Sequence, residues 1–136
     1  MIDSDGNAKL ADFGSAKMFP AGDDTLKGSV GTYHFFAPEM CDEKVNVYSG
    51  CAVDVWALGI SLYALVYNKL PHKAPSEIEL LEAINAEEIT FTGRNCSEGL
   101  NELLKRMLDK NPKTRITLQE IKAHAWINDG YGVNLS

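Results

Sequence analysis

The feature that most constrains the fold is one long apolar run, Cys51 to Tyr67, near the middle of the 136-residue chain. As an α-helix, these 17 residues are apolar nearly all round, which is typical of a helix at the centre of a domain. The run also contains Asp54 and Gly59 and is short for a membrane span, which needs about 20 apolar residues. It therefore predicts a buried core helix and no membrane partner.

Three amphipathic helices are predicted after this run. Ser76 with Glu79, and Thr117 with Glu120, have the spacing of capping boxes and predict where two of them begin. The helix between these two should stop near Asn111-Pro112, because proline disfavours helix in the residue before it. The apolar stripes at helical spacing are Ile78, Leu81 and Ile84 in one helix and Leu100, Leu103, Leu104, Met107 and Leu108 in the next.

The N-terminal third has a different character. Met1-Ile2 and 8–11 flank an Asp-Gly turn and predict a small β-hairpin. Residues 14–36 are rich in Gly, Ser, Thr and Asp and show neither a helical nor a strand period, which predicts a loop. A loop of this length in a compact domain is usually functional. The pattern as a whole predicts one mainly α domain with a functional loop near its N-terminus.

Charge and cysteine content narrow the possible partners. The net charge of -6 argues against nucleic acid, which selects for clustered Lys and Arg. Three cysteines without a C-x-x-C pair indicate neither a zinc site nor a disulfide framework. A reducing compartment, cytoplasmic or nuclear, is the expected location.

Five short motifs occur in a specific order. Asp12-Phe13-Gly14 follows the predicted hairpin, and taken alone it is better explained as a strand ending in a turn. Gly31-Thr32 and Ala37-Pro38-Glu39 come at the far end of the loop, the latter 25 residues after Asp12. The run 54–59 opens the apolar helix, and Arg115 follows the Asn-Pro pair. Together, in this order and spacing, the motifs are far more specific than any one of them.

With these motifs, essentially the whole chain resembles the eukaryotic serine/threonine protein kinases. The resemblance implies that Asp12, within the nucleotide-binding motif Asp12-Phe13-Gly14, holds Mg²⁺ against the phosphates of ATP. Gly14 would permit a close backbone turn, and Phe13 would pack inside. Thr32 matches the threonine that supports the catalytic aspartate and lysine in Ser/Thr kinases, although it also fits a simple turn residue.

The resemblance gives structural roles to three further residues. Glu39 and Arg115 match an ion pair that anchors the end of the loop to the last helices, and we expect it to be buried. Asp54 matches a helix aspartate that hydrogen-bonds the backbone of the catalytic loop, since a charge on so apolar a helix needs a partner. Trp56 is most simply a core residue.

The loop departs from the usual kinase pattern at one position. Many kinases are activated by phosphate on a threonine four residues before the position of Thr32, where this chain has Gly28. Glycine cannot be phosphorylated. Ser29 and Thr25 are then the candidate phosphorylation sites nearby.

Within the family, the sequence resembles the calcium/calmodulin-dependent protein kinase kinases. The runs that carry this likeness are Tyr48-Ser49-Gly50, Val53 to Ala57, Arg106 to Pro112, Glu120-Ile121-Lys122 and His124 to Ile127. In that group calmodulin binds a segment beyond the catalytic domain. Calmodulin is therefore a possible partner of a longer parent, through a segment outside this sequence.

Several parts of a complete kinase are missing from the sequence. It has no Gly-rich loop over ATP, no strand lysine paired with a helix glutamate and no His-Arg-Asp catalytic loop. We expect a protein-kinase-like C-lobe lacking the N-lobe and catalytic loop, with a hairpin at 1–12, an activation and substrate-docking loop at 12–39 and a helical C-lobe at 40–136.

The expected function follows from this truncation. The parent would use ATP and Mg²⁺ to phosphorylate a protein substrate on Ser or Thr, whereas this chain alone would bind neither cofactor and be inactive. The alternative is a non-catalytic, pseudokinase-like module that binds partners through its helical face. Without the helices that precede the catalytic loop, we also expect the isolated chain to self-associate through an exposed face of the apolar helix. That face would carry Val55, Leu58, Leu62 and Leu65.

Overall fold

The computed structural model describes residues 1–28, 31–92 and 96–129 and shows a mainly α-helical protein. A two-stranded antiparallel sheet joins β1 (Thr25–Leu26) to β2 (Tyr48–Ser49). The helices of the described ranges are α1 (Pro38–Cys41), α2 (Gly50–Tyr67), α3 (Glu77–Ala86), α4 (Glu98–Met107), α5 (Leu118–Ala123) and α6 (Ala125–Asp129). The predicted fold class, mainly α with a short hairpin, is confirmed.

Helix α2 forms the centre of the fold, as its sequence predicts. It begins at Gly50, one residue before the predicted start, because the Ser49 hydroxyl caps it by accepting the Ala52 N–H at 3.1 Å. By length and composition alone, a helix like this also qualifies as a membrane span. In this fold it instead supplies the main hydrophobic core with side chains spaced three or four residues apart. These are Val53, Trp56, Ile60, Tyr63 and Tyr67.

One stripe of α2 remains exposed, but not the whole face that the sequence predicts. Leu58 is 48% exposed and Leu65 is 81% exposed, as expected. Leu62 is half-buried, and Val55 is buried in a second core cluster with residues of α4 and α5. The prediction for Val55 is therefore wrong, because α4 and α5 cover the N-terminal half of this side of the helix.

The start of α3 agrees with the sequence, and its buried face agrees in part, since Ile84 is buried and Leu81 is half-buried. Ser76 caps the helix and accepts the N–H of Glu79 at 3.3 Å. The predicted face included Ile78, which is 71% exposed, while Leu80 and Ala83 are buried. Apolar residues occur on both sides of this short helix, so periodicity alone could not choose between the two faces.

The last helices pack against α2 through α4. Helix α4 ends at Met107, four residues before Asn111-Pro112, because the Asp109 side chain accepts the Asn111 N–H at 2.9 Å and forms a turn. Helix α5 begins with the predicted capping box in full: Thr117 N–H donates to Glu120 at 2.8 Å, and Glu120 N–H donates to the Thr117 hydroxyl at 3.3 Å.

The predicted N-terminal hairpin is present but minimal. Ile2 and Ala8 form one antiparallel bridge, and Lys9 N–H donates to the Met1 carbonyl at 2.8 Å.

The loop at 14–36 contains an element that its sequence did not predict, namely strand β1. Two-residue strands are too short to leave a period in the sequence, so this pairing could be seen only in three dimensions.

Candidate functional site

The Asp12-Phe13-Gly14 motif lies at an exposed bend after the hairpin. Asp12 has a left-handed backbone (φ 64°, ψ 70°), and residues 13–15 form a single 3₁₀ turn. The Asp12 Oδ1 atom lies 3.5 Å from where a Cβ on Gly14 would stand, so the side chain folds back over the glycine. Phe13 is 69% exposed, and the prediction that it packs inside is wrong for this chain, since the described elements do not cover it.

The carboxylate of Asp12 suits Mg²⁺ as one ligand among several. It is a hard anionic oxygen donor on an exposed bend. Among the described residues, His, Cys, Asp and Glu do not form any group of three or more that could hold a metal ion. A single carboxylate fits a cation bound mainly through phosphates and water, which is the usual mode for Mg²⁺ at nucleotide sites.

Thr32 lies at the rim of an open groove. Its carbonyl accepts the Phe35 N–H at 2.9 Å and starts a 3₁₀ turn over Tyr33–Phe35. A groove of about 480 Å³ separates residues 31–34 from residues 74–77 at the start of α3, with Leu80 on its lining. The exposed Thr32 side chain is thus available to groups outside the described contacts, as its predicted supporting role requires.

Glu39 and Arg115 form the expected contact. Arg115 Nη1 and Nη2 donate to the two carboxylate oxygens of Glu39 at 2.7 and 2.8 Å, a bidentate geometry. The two side chains are 6% and 1% exposed. Arg115 also donates to the carbonyls of Ala52 and Asp109, each at 2.8 Å, and its guanidinium lies 5.1 Å from the Trp56 ring centroid. The buried cation is thus compensated by one carboxylate and two carbonyl groups.

Asp54 points toward a small pocket between α2 and the loop. The pocket has a volume of about 220 Å³, and Lys17, Phe19 and Leu26 contribute to its lining. The Asp54 side chain retains access to solvent, yet desolvation by the surrounding protein raises its pKa above the ordinary value. A carboxylate in this position would gain from a hydrogen-bond donor placed in the pocket, which is consistent with its predicted role.

Of the two phosphorylation candidates, Thr25 belongs to the part of the chain that the structure describes. Thr25 belongs to β1, its residue is exposed, and its N–H donates to the Asp23 carboxylate at 3.0 Å. Ser29 lies outside the described residues.

Two residues of structural interest gave no sequence signal. Asp24 contacts the first turn of α2 across the loop, and His72 is buried beside the end of α3. Acidic residues in a polar loop are ordinarily solvated, and a lone histidine has no pattern, so only the fold could identify either one.

Comparisons with known proteins show which family the chain belongs to. The family model described as "Protein kinase domain" matches residues 1–127. A protein of Dictyostelium discoideum named as a probable serine/threonine-protein kinase is 42% identical over 128 residues, which cover 93% of this chain and 18% of that protein. A calcium/calmodulin-dependent protein kinase kinase of Emericella nidulans is 38% identical, covering 93% of this chain and 24% of its own length.

A calcium/calmodulin-dependent protein kinase kinase of Caenorhabditis elegans is 40% identical over 124 residues, which cover 90% of this chain and 23% of that protein. The chain thus spans between 18% and 24% of the length of these three relatives. The match of the family model over nearly all of the sequence shows that the chain belongs to the protein kinase domain family and is related to the calcium/calmodulin-dependent protein kinase kinases.

Proposed function

We propose that this chain is the C-lobe part of a serine/threonine protein kinase, whose parent transfers the γ-phosphate of ATP to a Ser or Thr hydroxyl of a protein substrate. The observation that carries the proposal is the loop at 12–39. It begins at an exposed carboxylate suited to Mg²⁺ and ends at a buried glutamate fixed by Arg115. The family match over residues 1–127 supports the same conclusion.

Each end of the loop has a separate task in this proposal. Asp12 would help to hold Mg²⁺, which when bound neutralises charge on the phosphates of ATP. Thr32, on the rim of the groove beside α3, would support the catalytic groups that the parent supplies. The ion pair of Glu39 and Arg115 would keep the far end of the loop in a fixed place, so that a protein substrate meets a preorganised surface.

The 136-residue chain should not transfer phosphate by itself. Phosphoryl transfer depends on positioning and on charge stabilisation by several groups at once. The sequence contains Asp12 but no His-Arg-Asp catalytic loop and no Gly-rich loop over the phosphates. We therefore propose that ATP, Mg²⁺ and protein substrate are partners of the parent. Calmodulin is a further proposed partner, because two relatives are named as calmodulin-dependent kinase kinases.

Two experiments test this proposal. In the first, the chain is incubated with Mg²⁺, radiolabelled ATP and a Ser/Thr peptide, with Asp12→Ala as the matched control. We expect equal background incorporation in both. Incorporation that Asp12→Ala abolishes would contradict the proposed inactivity of the chain.

In the second experiment, the coding sequence upstream of Met1 is read. An open frame that encodes a Gly-rich loop and His-Arg-Asp would support the kinase parent, and the longer protein should then phosphorylate the peptide and lose that activity in Asp12→Ala. An upstream sequence without these motifs would favour the alternative, a non-catalytic pseudokinase-like module that binds partners.

A further inference from the structure

A cluster of contacts joins the middle of the loop to the first turn of α2. The Asp24 carbonyl accepts the Gly50 N–H at 2.7 Å, and its Oδ2 atom accepts the Cys51 N–H at 3.0 Å. The same carboxylate oxygen accepts the Ser49 hydroxyl. Three donors at the start of one helix therefore converge on a single loop residue.

The packing around this cluster requires glycine at position 50. A Cβ there would overlap the ring of Phe19 and would lie a tight 3.2 Å from the Asp24 carbonyl oxygen. Glycine at this position therefore leaves room for the ring of Phe19 against α2 and relieves crowding with the backbone of Asp24. The loop and the helix are thus fitted to one another by shape as well as by hydrogen bonds.

The electrostatics favour the same arrangement. The first N–H groups of a helix have no partner within the helix and carry a partial positive charge. At α2 they are satisfied by Ser49, which accepts from Ala52, and by Asp24, which accepts from Gly50 and Cys51. Hydrogen bonds from Ser49, and then from the Cys51 backbone, lower the pKa of Asp24. The carboxylate is therefore ionised at neutral pH and makes charge-assisted hydrogen bonds.

Two further contacts extend the attachment toward Gly28. Strands β1 and β2 pair Thr25 with Ser49 and Leu26 with Tyr48. The Tyr48 hydroxyl donates to the Gly28 carbonyl. The whole stretch 24–28 is therefore held along the segment that leads into α2.

We propose that Asp24 is a positioning residue that fixes the middle of the substrate-docking loop on the N-terminus of α2. A phosphate often orders such loops by supplying charge and acceptor oxygens. Here a carboxylate within the loop supplies both, without covalent modification. The importance of this contact for docking a substrate rests on the proposed kinase function, whereas the attachment of the loop to α2 does not.

Limited proteolysis tests the attachment directly. Lys27 is exposed and lies just after β1, so trypsin can cut beside it when the segment detaches. Asp24→Asn keeps the shape of the side chain but removes its charge and presents an amide to the helix. We expect cleavage after Lys27 to become about tenfold faster, in keeping with the loss of charge-assisted hydrogen bonds.

Asp23→Asn is the matched control. It removes the same charge one residue away, from a carboxylate whose described contact is with the Thr25 N–H of its own loop. It should change the rate of cleavage after Lys27 less than about twofold, because the contact with α2 remains. Cleavage after Lys105, in the last turn of α4, reports unfolding of this part of the domain away from the loop and should stay slow in both variants.

Equal rates after Lys27 in the two variants would overturn the proposal, as would a parallel rise after Lys105 in Asp24→Asn. If Asp24→Asn does not fold, Tyr48→Phe serves instead, because it removes only the hydroxyl that reaches Gly28. Faster cleavage after Lys27 alone in Tyr48→Phe would support the attachment, and an unchanged rate would contradict it. The assay uses neither ATP nor substrate, so its result is independent of the phosphotransfer test.

Discussion

Arg115 connects three separate parts of the fold. Its guanidinium reaches α1 through Glu39, α2 through the Ala52 carbonyl and the turn after α4 through the Asp109 carbonyl. A buried ion pair is weak evidence of net stabilisation, because desolvation costs about as much as the attraction returns. Removing one partner alone is different, since the other charge is left buried without compensation.

We predict that Arg115→Ala lowers the free energy of unfolding by about 3–5 kcal/mol. Urea unfolding can be followed through the fluorescence of the two tryptophans, one of which, Trp56, lies under the guanidinium. Lys113→Ala removes an exposed cation two residues earlier and should change stability by less than about 0.5 kcal/mol. Matching urea midpoints for Arg115→Ala and the unmodified chain would show that the pair does not stabilise the fold.

His72 gives the fold a dependence on pH. The residue is 4% exposed, and its Nε2 lies 3.4 Å from the Glu87 carbonyl at the end of α3, which requires the proton on that nitrogen. Desolvation by burial lowers its pKa below the ordinary 6.5, and the charge of Lys110 acts in the same direction. The Glu87 carbonyl and the charges of Glu87 and Glu88 oppose this shift without reversing it.

The sign of the effect follows from proton linkage. Because the unfolded chain binds a proton on His72 more readily than the folded chain, the contribution of His72 to stability is present above about pH 6.5 and is lost as the pH drops below that value. We predict that the urea midpoint falls more between pH 7.5 and 5.5 in the unmodified chain than in His72→Gln. Carboxylates contribute equally to both proteins. The same fall in both would exclude His72 as the cause.

At the scale of elements, the contact between α2 and α4 depends on a glycine. A Cβ on Gly59 would lie 2.9 Å from Leu108 Cδ2 and 3.1 Å from Met107 Cβ. The absence of a side chain at position 59 therefore lets the two helices approach closely. This close contact outweighs the lower helix propensity of glycine, which costs about 1 kcal/mol relative to alanine.

We predict that Gly59→Ala destabilises the fold by about 1–3 kcal/mol, the range for overpacked cores. Combining it with Leu108→Ala provides the control, because a smaller side chain at position 108 makes room for the new methyl group. In that background the cost of Gly59→Ala should fall, and thermal unfolding of the four proteins gives the coupling energy. Additive effects in this cycle would mean that Leu108 is not what limits the approach.

The elements also show which features a sequence determines by itself. Helix starts were predicted well, because the caps at Ser76 and Thr117 are local interactions between residues three apart. The buried face of α3 was predicted only in part, because choosing between its two apolar sides depends on what packs against it. The pairing of β1 with β2 joins residues more than 20 apart and leaves no local pattern.

In the candidate site, too, the sequence indicated some of the residues and not others. The motif order predicted the ion pair of Glu39 with Arg115, which the structure shows, because these residue types recur at characteristic spacings in kinases. The roles of Asp12 and Thr32 stay predictions. The sequence did not indicate a role for Asp24, because its contacts depend on the position of α2, whose first turn it caps. The expected burial of Phe13 failed because the described fold places that ring in solvent.

At the scale of the whole molecule, the exposed stripe of α2 favours association. Leu65 and Leu58 lie on one side of the helix two turns apart, with half-buried Leu62 between them. Covering a leucine contributes about 1.5–3 kcal/mol. We therefore propose that the isolated chain self-associates through this stripe.

Placing a charge on the exposed stripe of α2 tests whether the chain self-associates through it. We predict that Leu65→Lys weakens self-association by about tenfold or more, as measured by sedimentation equilibrium. Ile78→Lys places the same charge on an apolar residue of α3 that is 71% exposed, and it should leave association unchanged. If the unmodified chain is monodisperse and monomeric at high concentration, or if both variants behave alike, the stripe is not the contact.

The ion pair of Glu39 and Arg115 also limits how early the fold can form during synthesis. Glu39 and Arg115 are separated by 76 residues. At about 5–20 residues per second, a ribosome adds Arg115 roughly 4–15 s after Glu39. Throughout that interval the nascent chain contains Glu39, which is buried in the native fold, but lacks the arginine that pairs with it. The end of the loop at 12–39 cannot reach its native contact until synthesis has passed Arg115, so we expect a chain that stops short of Arg115 to be cleaved more readily in this loop.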